Sequence, residues 1–348
     1  MRLIKHILLI SIATWLVFSP AQANEKTLVL YNWENYMPQT IKDAFYEETG
    51  YSITEVYYDS DELKDELIFN NGGAGLDLII GSGYGFISYV RKGNLLAQIP
   101  ANAIPNKQHI GVNWLEQSPE LQKFTTPLVW GTVGIIYRKD KIQNVDSWMD
   151  LYQPDPSLHK KIVMVDDIRD AMGSALIAQG YSFNSIKPKE IMAASKLLKA
   201  QREYVYAYGF IGTEEGSSIL TDDVYMTLGY NGDAMVLQEL SEDIGYVVPK
   251  EGTALWSDHI AVLASSQKKD IAFQFINFLN DPKRAAEFSE YTGSASSNHS
   301  ALDFMDEAHK NNPLIYPPQE LVEKSEFYQL FTPRTYRMYN TAYVNAKQ

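Results

Sequence analysis

The sequence predicts an α/β fold, and three observations carry that expectation. Short apolar, β-prone runs alternate with stretches of helical periodicity. The alternation returns in the second half of the chain, and no internal repeat or low-complexity linker divides the halves. Such alternation builds a parallel sheet with helices on its faces, and two lobes joined by more than one crossing would leave no linker to read.

Residues 27–33 (TLVLYNW) form an apolar, β-prone run and are expected to be the first buried strand. Ile41, Ala44 and Phe45 follow at helical spacing, and Gly50 stands where a helix C-cap belongs. A second strand is expected over 51–57. A helix follows over 59–70, with Leu63, Leu67 and Ile68 on one face, ended by Asn71-Gly72-Gly73. Residues 76–80 (LDLII) make a third strand. In the second half, strands are expected at 161–165, 223–228 and 244–248, and a helix at 190–201 with Ile191, Ala194, Leu197 and Leu198 on one face. The apolar run 271–279 is expected to be a helix stopped by Asp281-Pro282.

The N-terminus has the form of an export signal. Arg2, Lys5 and His6 make a basic start, 7–18 is an apolar run too short for a membrane span, and Ala21-Gln22-Ala23 is a small-x-small cleavage site. Cleavage is expected after Ala23, which makes the protein periplasmic with Asn24 as its first mature residue. The net charge of −13 becomes more negative once Arg2 and Lys5 are removed. Such a chain repels nucleic acid and anionic membranes and favours cations. It has no cysteine, so disulfides, thiolate metal sites and a cysteine nucleophile are excluded. Roughly 325 mature residues are enough for a large core or for two domains. Tyrosine, at 23 residues, is abundant.

Enzymatic motifs are not found. His6, His109, His159, His259, His299 and His309 lack the spacing of a metal site. The run Gly81-Ser82-Gly83-Tyr84-Gly85 has Phe86 where a dinucleotide loop needs its third glycine. Ser82 is not in a nucleophile elbow, since Ile80 and Tyr84 flank it two residues either side. No catalytic residue, metal or cofactor is expected.

Seven segments, taken together and in order, resemble the periplasmic spermidine/putrescine-binding proteins. They are YNWENYMP at 31–38, LIIGSGY at 78–84, WGT at 130–132, DDIRD at 166–170, GYNG at 229–232, WSD at 256–258, and Gln329. The resemblance implies a two-lobed periplasmic-binding fold of type II, each lobe a mostly parallel sheet flanked by helices with the ligand cleft between. The lobes would comprise 24–131 with 257–302, and 132–256 with 303–348. It also implies a monomer that binds a polyamine and closes on it.

The residue chemistry suits that ligand. A polyamine is a methylene chain with spaced ammonium groups, and an unpaired buried ammonium is very costly. Asp167, Asp170 and Asp258 could supply the counter-charges. Asp167 and Asp170 lie three apart, on one face if a helix starts there, although an acid pair also favours a helix N-terminus for its own sake. Trp33, Tyr36, Tyr84, Tyr230 and Trp256 could wall the methylenes and attract the ammonium ends. Trp33, Tyr84 and Trp256 each follow an apolar strand, where ligands of open α/β sheets bind. Ser82 and Gln329 could hydrogen-bond terminal amines.

Three positions depart from the family pattern. Its carboxylate before the loop tyrosine is Asn35 here, and the acid is Glu34, which extended backbone would point the other way. Its cleft tryptophan is Tyr230, and its tyrosine near the C-terminal side is Ser294. These changes open chain-length preference to spermidine, norspermidine or putrescine. They also lean the expected role toward a polyamine sensor resembling the norspermidine branch, which controls cyclic-di-GMP signalling and biofilm through a GGDEF/EAL membrane protein. The alternatives are the substrate-binding subunit of a polyamine ABC transporter, with a permease as partner, and a receptor for another cationic solute such as a basic amino acid.

Overall fold

The computed structural model describes residues 26–116 and 118–348. The signal segment and the cleavage site at Ala23 lie outside the described residues. The first lobe opens with β1 (Thr27–Asn32), α1 (Gln39–Thr49), β2 (Ser52–Tyr57), α2 (Asp61–Asn71), β3 (Leu78–Ser82), α3 (Gly83–Lys92) and a short α4 (Val112–Glu116). β4 (Thr125–Arg138) leads into the second lobe. There α5 (Trp148–Tyr152), β5 (Ile162–Met164), α6 (Ile168–Ile177), α7 (Pro188–Gln201), β6 (Val205–Tyr208), β7 (Met226–Tyr230), α8 (Asn231–Leu240) and β8 (Ile244–Val247) follow. The chain returns through β9 (Ala254–Val262), α9 (Lys269–Leu279), α10 (Pro282–Thr292) and β10 (Ala295–Ser296). It ends with α11 (Glu307–Lys310), α12 (Gln319–Lys324), β11 (Glu326–Phe327) and α13 (Pro333–Lys347).

The local signals act where the sequence places them. Gly50 sits at φ 72° and Gly72 at φ 69°, each capping its helix from the left-handed region that glycine enters without a Cβ penalty. Asp281-Pro282, expected to stop a helix, starts one instead. Asp281 is the N-cap of α10 and accepts from the amides of Lys283 and Arg284, while α9 has already ended at Leu279. An aspartate before proline is a start signal, since proline at the first helical position lacks only an N–H that would be unpaired anyway.

The sheets are mixed. β1 pairs in parallel with β2 and β3, and β5 in parallel with β6 and β7, as the alternation predicts. The centre is antiparallel: β9 runs against both β3 and β4, and β4 against β7 and β8. β4 belongs to both lobes. Thr125–Thr132 pair with β9, and Val133–Arg138 pair with β7 and β8.

Both faces of each sheet are covered. Leu28, Leu30, Leu78 and Ile80 pack under Phe45 and Phe275, while Tyr31 and Ile79 face Phe86 and Tyr89 on the other side. In the second lobe Met164 and Leu228 pack with Trp148, Met172, Leu176 and Tyr339, and Ile136 and Val163 face Leu237. Two-sided burial explains why these strands read as continuous apolar runs.

Candidate ligand site

The site lies beyond the strand ends, and its first half comes from β1, β3 and β9. Past β1 the chain turns at Trp33–Tyr36, with Asn35 at φ 55°, and returns Tyr36 toward β9. In the β3–β9 ladder Ser82 is opposite Asp258, and in the β9–β4 ladder Trp256 is opposite Gly131. The Tyr36 hydroxyl donates to Asp258 Oδ2 at 2.8 Å, and the Trp33 indole also donates to this carboxylate. Burial pushes Asp258 up to about 6 against the opposing pull of the Tyr36 bond, and neighbouring Asp61 pushes the same way as burial. The Trp33 ring leans on Tyr58, their centroids 4.3 Å apart.

The second half comes from α6, β7 and the segment after β11. Asp167 is the N-cap of α6, its Oδ1 accepting from the Asp170 amide at 2.9 Å. This is the capping geometry open to any N-terminal acid, and it also sets Asp170 one turn along, aimed at Tyr230 and Tyr328. Tyr230 donates to Asp170 Oδ2 at 2.6 Å and Tyr328 to Oδ1. Asp170 is 1% exposed. Burial, then the nearby Asp167 charge, push its carboxyl up to about 7 although both tyrosine bonds oppose the shift.

The halves meet through aromatic rings. Tyr84, at the start of α3, stacks on Tyr328 with centroids 5.4 Å apart and planes 20° apart. Burial raises the Tyr84 hydroxyl well above its ordinary value, with the charges of Asp61 and Asp167 adding to it. A cavity of about 600 Å³ opens beside these residues, its wall including Asp61, Ser82, Tyr84, Asp167, Arg169 and Phe331. Arg169 does not pair with its aspartate neighbours. It donates to the Gln329 carbonyl at 2.9 Å and to Asn184 Oδ1 at 2.8 Å, and its guanidinium lies 3.7 Å from the Phe331 ring centre.

The structure thus brings Trp33, Tyr36, Asp258 and Ser82 together at one end and Tyr84, Asp167, Asp170 and Tyr230 at the other. Trp256 lies over Gly131, where an added Cβ would stand 2.4 Å from the indole and 2.3 Å from Asn231, so only glycine allows this packing. Two further candidates, Glu34 and Gln329, have exposed side chains. Glu34 is exposed on the turn, whose left-handed Asn35 removes the extended backbone assumed for it. The Gln329 side chain is exposed as well. Its backbone is held by Arg169 and Asn184, and the preceding residue, Tyr328, reaches Asp170 instead. Ser294 is buried past the end of α10, its hydroxyl on the Thr292 carbonyl at 3.1 Å. Sequence reasoning missed Tyr328, Tyr58, Asp61 and Lys64. Only Tyr328 left a signal, its place beside Gln329.

Two α/β lobes with an acid- and tyrosine-lined cleft between strand ends define a two-lobed solute receptor. Comparison with known proteins gives the family. The model of the bacterial extracellular solute-binding proteins matches residues 40–317, and this chain belongs to that family. The chain is 28% identical to the spermidine/putrescine-binding periplasmic protein of Salmonella typhimurium over 313 residues, 89% of this chain and 88% of that one. It is 26% identical to the putrescine-binding periplasmic protein SpuD of Pseudomonas aeruginosa, over 99% of this chain and 98% of that one. Among solved structures it superposes on the spermidine/putrescine ABC transporter substrate-binding protein PotD of Streptococcus pneumoniae. The TM-score is 0.84 at 28% identity, covering 92% of this chain and 98% of that one.

Asp170 and Asp258 both hold protons more tightly in the folded protein than in the unfolded chain. Their contribution therefore favours folding fully at acid pH and is lost as pH rises through about 6 and about 7. Asp170→Asn should remove the larger penalty. The expected result is a melting temperature several degrees above the parent's at about pH 8, a gain on the order of a few kcal/mol that shrinks toward about pH 5. Thermal melts of both proteins without ligand check this; a variant less stable at every pH contradicts it.

Proposed function

We propose that this protein is a periplasmic receptor for a linear polyamine of the spermidine, norspermidine or putrescine class. The observation that carries this reading is a pair of buried carboxylates beyond the strand ends, Asp258 held by Tyr36 and Asp170 held by Tyr230 and Tyr328. Ammonium groups on a methylene chain would meet both, with Asp167 beside the second. Trp33, Tyr36, Tyr84, Tyr230 and Trp256 would flank the methylenes. The relatives' names support the same ligand class. A basic amino acid gains less support, because both Nη atoms of Arg169, the arginine beside the cleft acids, are engaged and the relatives' names point to amines. The lobes would comprise 24–131 with 257–302 and 132–256 with 303–348, and close by hinge motion at the β4 and β9 crossings.

Delivery to an ABC permease is the favoured partner reading, since the Streptococcus pneumoniae structure carries the name of an ABC transporter substrate-binding protein. The lean toward a GGDEF/EAL sensor drawn from Tyr230 and Ser294 gains no support from the relatives' names. Deleting the protein should abolish polyamine uptake; uptake that persists while biofilm changes would reverse the preference.

The ligand assignment is checked by calorimetric titration with putrescine, spermidine, norspermidine and arginine. At least one di- or triamine should bind and raise the melting temperature, and arginine should not. Trp256→Ala and Asp258→Asn should each remove that response from a folded protein. Absence of any amine response at millimolar concentration sinks the assignment.

Binding should also depend on pH in a known direction. An ammonium favours the ionised carboxylates, so at acid pH the ligand must displace protons from groups at about 7 and about 6. Affinity is expected to fall by at least about tenfold between about pH 7.5 and about pH 5.5, with proton release measurable by titration in buffers of different ionisation enthalpy. A pH-independent affinity would mean that neither acid meets the ligand.

A further inference from the structure

One charged side chain buried behind the cleft wall is unaccounted for by ligand binding. Lys64, on the inner face of α2, is 0% exposed. Its Nζ pairs with Asp61 Oδ1 and lies 3.5 Å from Asp65, which also accepts from the Tyr89 hydroxyl at 2.6 Å. The ammonium stands 5.6 Å from the Tyr58 ring centre and 5.8 Å from that of Phe86. The other oxygen of Asp61 accepts from Ser82 Oγ at 2.9 Å, and Ser82 is opposite Asp258 in the sheet.

Asp61 is therefore a cleft carboxylate. It lines the cavity with Ser82, Tyr84 and Asp167, and its charge acts on both Asp258 and Tyr84, so it lies between the two ends of the cleft. Beneath it the chain has placed an ammonium on a four-carbon stem, desolvated, near two aromatic rings and paired to a carboxylate. This is the environment an amine ligand would need. The backbone accommodates it closely: a Cβ at Gly81 would lie 3.2 Å from Lys64 Nζ. Of the three basic residues that line the cavity, Arg169 is committed to Gln329 and Asn184 and Lys92 to the Phe69 ring at 3.3 Å, while Arg337 lies on α13, away from Asp61 in the chain.

We propose that Lys64 is a built-in counter-ion for Asp61 that removes one carboxylate station from the cleft, and so limits how many ammonium groups the ligand can present. The inference rests on the polyamine reading and makes Lys64 a specificity-determining residue that need not touch the ligand. With Lys64 present, charge demand is confined to the two ends, which suits amines of two or three charges. Without it, Asp61, whose side chain is 29% exposed, becomes an unpaired carboxylate of the cavity wall and rewards a further ammonium.

The test is calorimetric titration of the mature protein and its variants with putrescine, spermidine and spermine, reading the ratio of spermine to putrescine affinity. Lys64→Met should raise that ratio about tenfold or more, and Asp61→Asn combined with Lys64→Met should return it to within about threefold of the parent. A ratio that stays within about threefold in Lys64→Met, while the parent binds putrescine, overturns the proposal and leaves the polyamine reading standing. If Lys64→Met does not fold, Asp61→Asn decides. It leaves excess positive charge in mid-cleft, so spermine affinity should fall more than putrescine affinity, and an equal fall overturns the proposal. A parent that binds none of the three amines removes the polyamine reading and this inference together.

Discussion

A carboxylate withdrawn from water is tolerated only beside a cation or under several hydrogen-bond donors, and this cleft is organised around that constraint. Asp258 is held by Tyr36 and Trp33, and Asp170 by Tyr230 and Tyr328. In both cases burial outweighs the donors and the carboxyl is driven upward. The tyrosines keep the acids in place without neutralising them. On the polyamine reading that unrelieved cost is the source of affinity, because the ligand's ammonium groups are the counter-charges that relieve it.

The fold delivers these acids through strand ends and one shared strand. Sheet register sets Asp258 opposite Ser82, and a helix N-cap sets Asp167 and Asp170 a turn apart. β4 carries the chain from the first sheet to the second, and Gly131 lets Trp256 lie against it. The Tyr84–Tyr328 stack then sets α3 of the first lobe against the segment that holds Asp170. Arg169 sits between Asp167 and Asp170 in sequence, yet its fork is turned onto Gln329 and Asn184.

Much of this was legible in the residues, and what was not has physical reasons. β1, β3 and α9 read clearly because apolar runs buried on both faces leave no ambiguity of period. β4 and β9 did not. Pro127, Gly131 and Gly134 look like breakers along β4, and antiparallel pairing between distant segments has no local signature. Asp167 and Asp170 stood out through the family resemblance, since their spacing alone fits any helix N-terminus, and the aim of a side chain depends on the turn it leaves. Glu34 and Gln329 are exposed, while Tyr328, next to Gln329, reaches the buried Asp170. Lys64 was invisible for another reason. In DELKDEL it resembles any solvated helix charge, and only the packed aromatic wall shows that it is buried.

The central claim is that Asp170 and Asp258 are held at elevated proton affinity until an ammonium group meets them. Carboxyl-carbon NMR titration of both residues, with and without a saturating triamine, tests it most directly. The account predicts that in the free protein Asp170 titrates near 7 and Asp258 near 6, and that amine shifts both to or below the ordinary aspartate range. Titration curves that the amine leaves unchanged, or acids already ionised at ordinary values in the free protein, would contradict it.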